Sequence, residues 1–140
     1  MIMKKNIYLR LWQDALGGIH KNNPKDYKWM AFIFISMGNA LNILSILALL
    51  NALFKTPILL FSHFDISLFT NKSLDSLSKF FLEFMLLPIT INFLYVNKNK
   101  QSLQIETVIS SSGIIFTSYM IISIIMLVVS MLIAYVKLLE

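Results

Sequence analysis

Three long runs of apolar residues constrain the fold of this chain more than any other feature. They cover residues 29–54, 80–96 and 108–136, and the only charged side chain within them is Glu83. As helices these runs would measure about 39, 26 and 44 Å, against about 30 Å for the hydrocarbon core of a bilayer. In lipid a run of this length must be helical, because its backbone N–H and C=O groups have no water to bind. The sequence therefore predicts an all-α integral membrane protein with three transmembrane helices.

The composition disfavours most other classes of protein. Hydrophobic residues make up 57% of the 140 residues and charged residues only 14%, whereas a soluble domain has roughly 45–50% and 25%. Too few residues remain outside the three runs to bury three such helices in water. The chain has no cysteine, which excludes disulfides, thiolate metal sites and cysteine nucleophiles. A soluble enzyme, a disordered chain and a disulfide scaffold are all poor descriptions of this sequence.

The basic residues predict how the chain is oriented. With transmembrane spans at about 29–54, 77–97 and 108–136, eight Lys and Arg residues fall on the side of the N-terminal segment and four on the other side. Cytoplasmic loops carry the excess of such residues. We therefore expect residues 1–28 to be a cytoplasmic segment and residues 29–140 to be a three-helix domain. The expected location is the cytoplasmic (inner) membrane of a bacterium.

Residues 4–19 show the periodicity of an amphipathic helix, which Gly17 and Gly18 are predicted to end. Its apolar side chains recur at spacings of three and four, at Tyr8, Leu11, Trp12, Ala15, Leu16 and Ile19. Basic residues together with a tryptophan predict an interfacial helix in the cytoplasmic leaflet. The alternative is that the apolar face packs on a partner protein or on the inner end of the bundle itself. The predicted contacts with lipid headgroups are Lys4, Lys5, Arg10, Trp12, Lys25 and Lys28.

A second short interfacial helix is predicted between the first and second spans. Residues 55–76 are too apolar for a free loop, but their apolar stretch is too short to cross a membrane. Thr56 and Pro57 provide a typical helix start. Asp75 is then predicted to cap the second span.

Polar and small side chains within the spans are the candidate functional residues, because polar groups in lipid tend to face protein or water. Small residues let helices approach each other, and an asparagine can bind across the contact, whereas a face lined by water is the alternative. Serine and threonine hydroxyls can also bind to their own helix. Tyr119 shares a side of the third span with two of the candidates. The candidates for helix packing or pore lining are Gly38, Asn39, Asn42, Ser45, Glu83, Thr90, Ser123 and Ser130.

The second span holds the most informative of these candidates. Glu83 is predicted to lie one turn inside the span, where an ion pair with Lys79 at spacing i, i+4 is the simpler interpretation. The other interpretation is a buried carboxylate that binds a cation or a proton, or that anchors a partner. Pro88 removes one backbone hydrogen bond and should kink the helix.

No arrangement of residues in the sequence indicates catalysis. The chain lacks HExxH, GxSxG, P-loop and GxGxxG motifs, and the predicted topology separates His20 from His63. We expect no enzyme activity, no metal and no cofactor. Because the basic residues flank apolar runs, their expected counter-charge is the lipid headgroup and not nucleic acid.

The leading functional hypothesis is a small non-catalytic membrane subunit that packs against other membrane helices, as an accessory or scaffold component of a larger complex or as a homo-oligomer. The alternative is an oligomeric pore or a permeability-altering protein, holin-like or effector-like. A third hypothesis is a membrane-surface regulator or an immunity-type protein that acts through residues 4–19. Unrelated small membrane proteins share this layout, and no motif distinguishes among them.

Overall fold

The computed structural model describes residues 6–55, 67, 69–104 and 110–139, and all regular structure within them is helical. In these residues a 3₁₀ turn, Gln101–Leu103, follows the fourth of five α-helices. The helices are α1 (Ile7–Asn22), α2 (Tyr27–Phe54), α3 (Lys72–Phe84), α4 (Leu86–Lys98) and α5 (Ile114–Leu139). Three segments are long and apolar enough to cross a membrane, namely Tyr27–Phe54, Lys72–Lys98 and Ile114–Lys137. The prediction of an all-α fold with three candidate spans is confirmed at this level.

Helices α2 and α5 lie side by side and run in the same direction. Near one end, the ring centroids of Phe34 and Phe116 are 6.3 Å apart. Near the other end, Ala52 and Ala134 line the same small cavity. Small side chains, which allow two backbones to approach closely, are buried on both helices and include Ser45, Ala48, Ser123 and Ser130.

Helices α3 and α4 together form the second candidate span and run antiparallel to α2. Phe84 is buried against Ala40 and Leu44, and farther along α4 the side chain of Asn92 reaches back to Ser36. The helix is interrupted at Met85, three residues before the proline that was predicted to kink it. Pro88 has no N–H group to donate to the carbonyl of Phe84, so the interruption falls where that hydrogen bond is missing.

Helix α1 packs at the end of the bundle where α2 begins, α4 ends and α5 begins. Seven consecutive residues, 11–17, are buried. The side chains of two successive turns of a helix point in every direction, so this part of α1 is covered on all sides. Trp12 is only 1% exposed and packs in a core with Ala31, Ile35 and Leu103.

This packing corrects the expectation that α1 lies on the lipid surface with Trp12 among the headgroups. The apolar face instead packs on the other helices at one end of the bundle, as in the alternative interpretation that placed it on the bundle itself. The predicted end at Gly17 and Gly18 is also wrong, because α1 continues to Asn22. A Cβ atom on Gly18 would lie 2.6 Å from the Cα of Gly113, so this glycine permits two backbones to cross and does not end the helix.

Other helix ends also differ from the prediction. Helix α3 begins at Lys72, where the Oδ1 atom of Asn71 accepts hydrogen bonds from the backbone N–H groups of Ser73 (3.0 Å) and Leu74 (3.5 Å). Asn71 is thus the cap, and Asp75 lies in the first turn. Helix α5 begins at Ile114, after a Gly113 in the left-handed region at φ +83°. The predicted helix start at Thr56 and Pro57 lies outside the described residues, as do Lys4, Lys5 and His63.

Candidate functional site: a polar cluster shared by four helices

Six polar side chains form one hydrogen-bonded group inside the bundle, which we call the polar cluster. A polar group buried without a partner costs about 1–3 kcal/mol, so the members of such a group bind each other strongly in apolar surroundings. They come from α1, α2, α4 and α5, and the cluster therefore ties these four helices together. The members are Tyr8, Ser36, Asn39, Asn42, Asn92 and Tyr119.

Asn92 organises one half of the polar cluster and is fully buried, at 0% exposure. Its Nδ2 atom donates a hydrogen bond to Ser36 Oγ at 2.9 Å. Its Oδ1 atom accepts hydrogen bonds from the hydroxyl of Tyr8 at 2.5 Å and from Nδ2 of Asn39 at 3.3 Å. One amide on α4 thus binds side chains from α1 and α2.

Tyr119 organises the other half of the polar cluster. Its hydroxyl donates to Asn39 Oδ1 at 2.6 Å and accepts from Asn42 Nδ2 at 3.2 Å. Asn39 joins the two halves, because its Nδ2 atom also donates to the hydroxyl of Tyr8 at 2.8 Å. A Cβ atom on Gly38 would lie 2.5 Å from the ring of Tyr119, so this glycine makes room for the ring.

A second polar contact fixes α1 to the start of α5. Asp14 is 5% exposed, and its two carboxylate oxygens accept hydrogen bonds from the backbone N–H groups of Gly113 (2.9 Å) and Phe116 (3.0 Å). The first N–H groups of a helix have no partner within it, and a carboxylate is stabilised at that end of the helix dipole. Gln13 adds a hydrogen bond from Nε2 to the backbone oxygen of Ser102 at 2.8 Å. Sequence analysis missed this cap, because its two sides are about one hundred residues apart.

The predicted packing residues of α2 and α5 lie in helix contacts. Gly38, Asn39 and Asn42 are at the polar cluster. Ser45, Ser123 and Ser130 are buried, and their hydroxyls donate to backbone oxygens four residues earlier in the same helix, at 2.7, 3.0 and 2.6 Å. Thr90 is exposed and binds the carbonyl of Leu86 in the same way. These surroundings favour the packing interpretation over the water-lined one.

Glu83 lies about three turns after the start of α3, whereas the prediction placed it one turn inside the span. Its neighbour Phe84 packs against Ala40 and Leu44, which are near the middle of α2. The ion pair recorded for Lys79 is with Asp75, whose Oδ2 atom is 2.7 Å from Lys79 Nζ. The predicted ion pair of Lys79 with Glu83, one turn in the opposite direction, stays a prediction.

Four members of the polar cluster were not predicted as site residues. Tyr8 was assigned to the apolar side of α1, Tyr119 was noted only for sharing a side of the third span with two candidates, and neither Ser36 nor Asn92 was singled out. The available signal was the position of Asn92, an amide in the middle of an apolar run whose burial demands a partner. The identity of that partner required the fold, since Tyr8 and Asn92 are 84 positions apart.

The polar cluster has the chemistry of a structural contact. Its hydroxyls bind amides, which are neither general acids nor general bases, so no activated nucleophile arises there. Among the described residues, no group of three His, Cys, Asp or Glu side chains is placed to hold a metal ion. Comparisons of the chain with protein families, with curated proteins and with solved structures found no match.

Proposed function

We propose that this chain is a small non-catalytic subunit of a membrane complex, embedded in the cytoplasmic membrane of a bacterium and bound to another membrane protein or to further copies of itself. The outward side of α5 supports the embedding. Large apolar side chains are exposed along it, and in water they would form a patch far larger than soluble monomers carry. They include Ile121, Ile122, Ile125, Val128 and Leu132.

The distribution of charge supports a cytoplasmic position for α1. Six basic residues of the described chain lie at the end of the bundle that carries α1, namely Arg10, Lys21, Lys25, Lys28, Lys98 and Lys100. Four lie toward the opposite end, namely Lys55, Lys72, Lys79 and Lys137. An excess of Lys and Arg marks the cytoplasmic side of a membrane protein, so the α1 end is the cytoplasmic one.

The observation that carries the proposal of a partner is the charged side of α3. Lys72, Asp75, Lys79 and Glu83 recur at helical spacing and lie on one side of this helix, which belongs to a candidate span. Charged side chains within a span are costly in lipid, so they tend to face protein or water. A partner protein that covers this side of α3 would shield it from lipid. Phe80 and Phe81 are exposed on the same helix and provide apolar area for the contact.

The polar sides of α2 and α5 give no support to the proposal of a protein partner. In the sequence they suggested a surface for one, but in the structure they are buried in the contact between these two helices and in the polar cluster. For the same reason the pore hypothesis receives little support, because Asn39, Asn42, Ser123 and Ser130 have partners inside the bundle. The regulator hypothesis is weakened likewise, since the apolar face of α1 is covered by the other helices.

The test is to isolate the chain from its native membrane in a mild detergent and to measure the mass of the particle. We expect a mass above that of one 16.1 kDa chain and a reproducible set of co-purifying membrane proteins or copies. The substitution Glu83→Gln keeps the side-chain size and removes its charge, and it should reduce recovery of the partner about tenfold or more.

Lys137→Gln is the matched control, because it removes a charge from the outer end of α5, and it should leave recovery unchanged. A strictly monomeric particle without any co-purifying protein would contradict the proposal. Equal loss of the partner in both variants would contradict the assignment to α3.

A further inference from the structure

A groove between α2 and α4 continues from the α1 end of the bundle toward its middle, and we call it the α2–α4 groove. It consists of two adjoining cavities of about 380 and 550 Å³ that share Phe32 in their lining. The first cavity is bordered by Trp12, Lys28 and Lys100. The second is bordered by Ile33 and by residues of the other helix, including Ile89 and Phe93.

The two parts of the α2–α4 groove differ in polarity. Lys28 and Lys100 lie at the end of the groove beside α1. No carboxylate of the described residues pairs with either of them. The inner part is lined almost entirely by aliphatic and aromatic side chains. A site that is basic at one end and apolar along the rest matches an amphiphile with an anionic head.

Trp12 supplies an independent observation at the basic end. Its side chain borders the first cavity and is 1% exposed, and its Nε1 atom has no hydrogen-bond acceptor among the residues that the structure describes. Buried indole N–H groups usually have a partner. An oxygen atom of a bound molecule would provide the missing acceptor.

We propose that the α2–α4 groove binds one anionic phospholipid of the cytoplasmic leaflet. The phosphate lies between Lys28 and Lys100, and a phosphate or ester oxygen accepts the hydrogen bond of Trp12. An acyl chain follows the inner part of the groove past Phe32 and Phe93. The lysines lie at the cytoplasmic end, where anionic headgroups are concentrated. This inference rests on the membrane placement in the proposed function and not on the protein partner.

The chain offers a direct optical test, because its two tryptophans, Trp12 and Trp29, both border the groove. The purified chain in dodecyl maltoside is titrated with phosphatidylglycerol or phosphatidylcholine whose acyl chains carry bromine, which quenches tryptophan on contact. We expect saturable quenching by phosphatidylglycerol at a mole fraction at least about tenfold below that needed for phosphatidylcholine. The variant Trp12→Phe retains the signal of Trp29 and should bind a few-fold more weakly.

A double substitution tests the role of the lysines. Each lysine near an anionic headgroup strengthens binding roughly fivefold, so Lys28→Gln with Lys100→Gln should weaken phosphatidylglycerol binding about 25-fold. The matched control is Lys55→Gln with Lys137→Gln, which removes two charges that border a cavity at the opposite end and should leave binding unchanged. Circular dichroism confirms that both variants keep their helices.

Three results would overturn the inference. They are equal quenching by the two lipids, equal weakening by the two lysine pairs, and displacement of the lipid by millimolar inorganic phosphate, which would indicate a site for the free anion. If the chain does not lie in a membrane, it will stay dispersed without detergent, and this will be evident before the lipid titration. Failure to find a protein partner would leave the lipid titration unaffected.

Discussion

At the scale of single residues, one amide connects α4 to the rest of the polar cluster. Asn92 is the only member of the polar cluster that comes from α4, and its three hydrogen bonds reach Tyr8, Ser36 and Asn39. Interhelical hydrogen bonds in membrane proteins contribute about 0.6 kcal/mol each on average. The contribution is modest for each bond, but the loss of one side chain removes all three together.

We therefore expect Asn92→Leu to lower the free energy of unfolding by about 2 kcal/mol. Leucine has the same number and branching of side-chain heavy atoms and is not smaller, so the loss reflects hydrogen bonds and not a cavity. The measurement is reversible unfolding in mixed micelles, followed by circular dichroism. Thr90→Val is the control on the same helix, because this hydroxyl binds its own backbone at an exposed position, and it should change stability by less than about 0.5 kcal/mol. Equal effects of the two substitutions would refute a special role for the amide.

At the scale of the helix, α1 shows most clearly what sequence analysis can and cannot predict. Periodicity at three and four residues correctly indicates a helix here, and it predicts that the helix has an apolar side. It does not say what covers that side, because lipid and protein are both apolar. The deciding contacts are those of Gln13 and Asp14 with backbone atoms of residues 102–116, and no local pattern encodes such distant partners.

The contact of Asp14 with α5 gives a prediction for this helix. Asp14→Ala removes the acceptor for two N–H groups at the start of α5, and the loss of a helix cap costs about 1–2 kcal/mol of stability. Hydrogen exchange at Gly113 and Phe116 should become faster, because both amides lose their partner, while exchange in the middle of α5 stays slow. Asp26→Ala is the control, since Asp26 occupies the cap position of α2 without a side-chain hydrogen bond there. If both variants exchange alike, the cap does not contribute to stability.

At the scale of the whole molecule, hydropathy predicted the three candidate spans, because lipid would impose length and apolarity on every helix that crosses it. The predicted first span, residues 29–54, differs from α2 by two residues at one end. The third span was predicted to start at residue 108, whereas α5 starts at Ile114. The uncharged residues Ser110, Ser111 and Gly113 were counted in the apolar run, but they precede the helix. The division of the second span at Met85 was predicted only as a kink.

The orientation of the whole molecule can be tested by labelling single introduced cysteines, because the chain has no cysteine of its own that would also be labelled. Single cysteines at Lys25 and Lys72 place a thiol at exposed positions toward opposite ends of the bundle. A maleimide that cannot cross membranes should label Lys72→Cys in intact cells, and should label Lys25→Cys only after the membrane is opened. The reverse pattern would invert the proposed topology. Labelling of both variants in intact cells would contradict membrane embedding.

The contact between Asp14 and Gly113 joins residues 99 positions apart, and it has a consequence for synthesis. The carboxylate emerges from the ribosome long before the two amides that will bind it. Until α5 is made, Asp14 lacks these two partners, and α1 lacks one of the helices that cover it. We therefore expect α1 and its apolar side chains to be more exposed in an unfinished copy than in a finished one, and proteases recognise such exposed segments. The synthesis of α5 is then the step that covers α1.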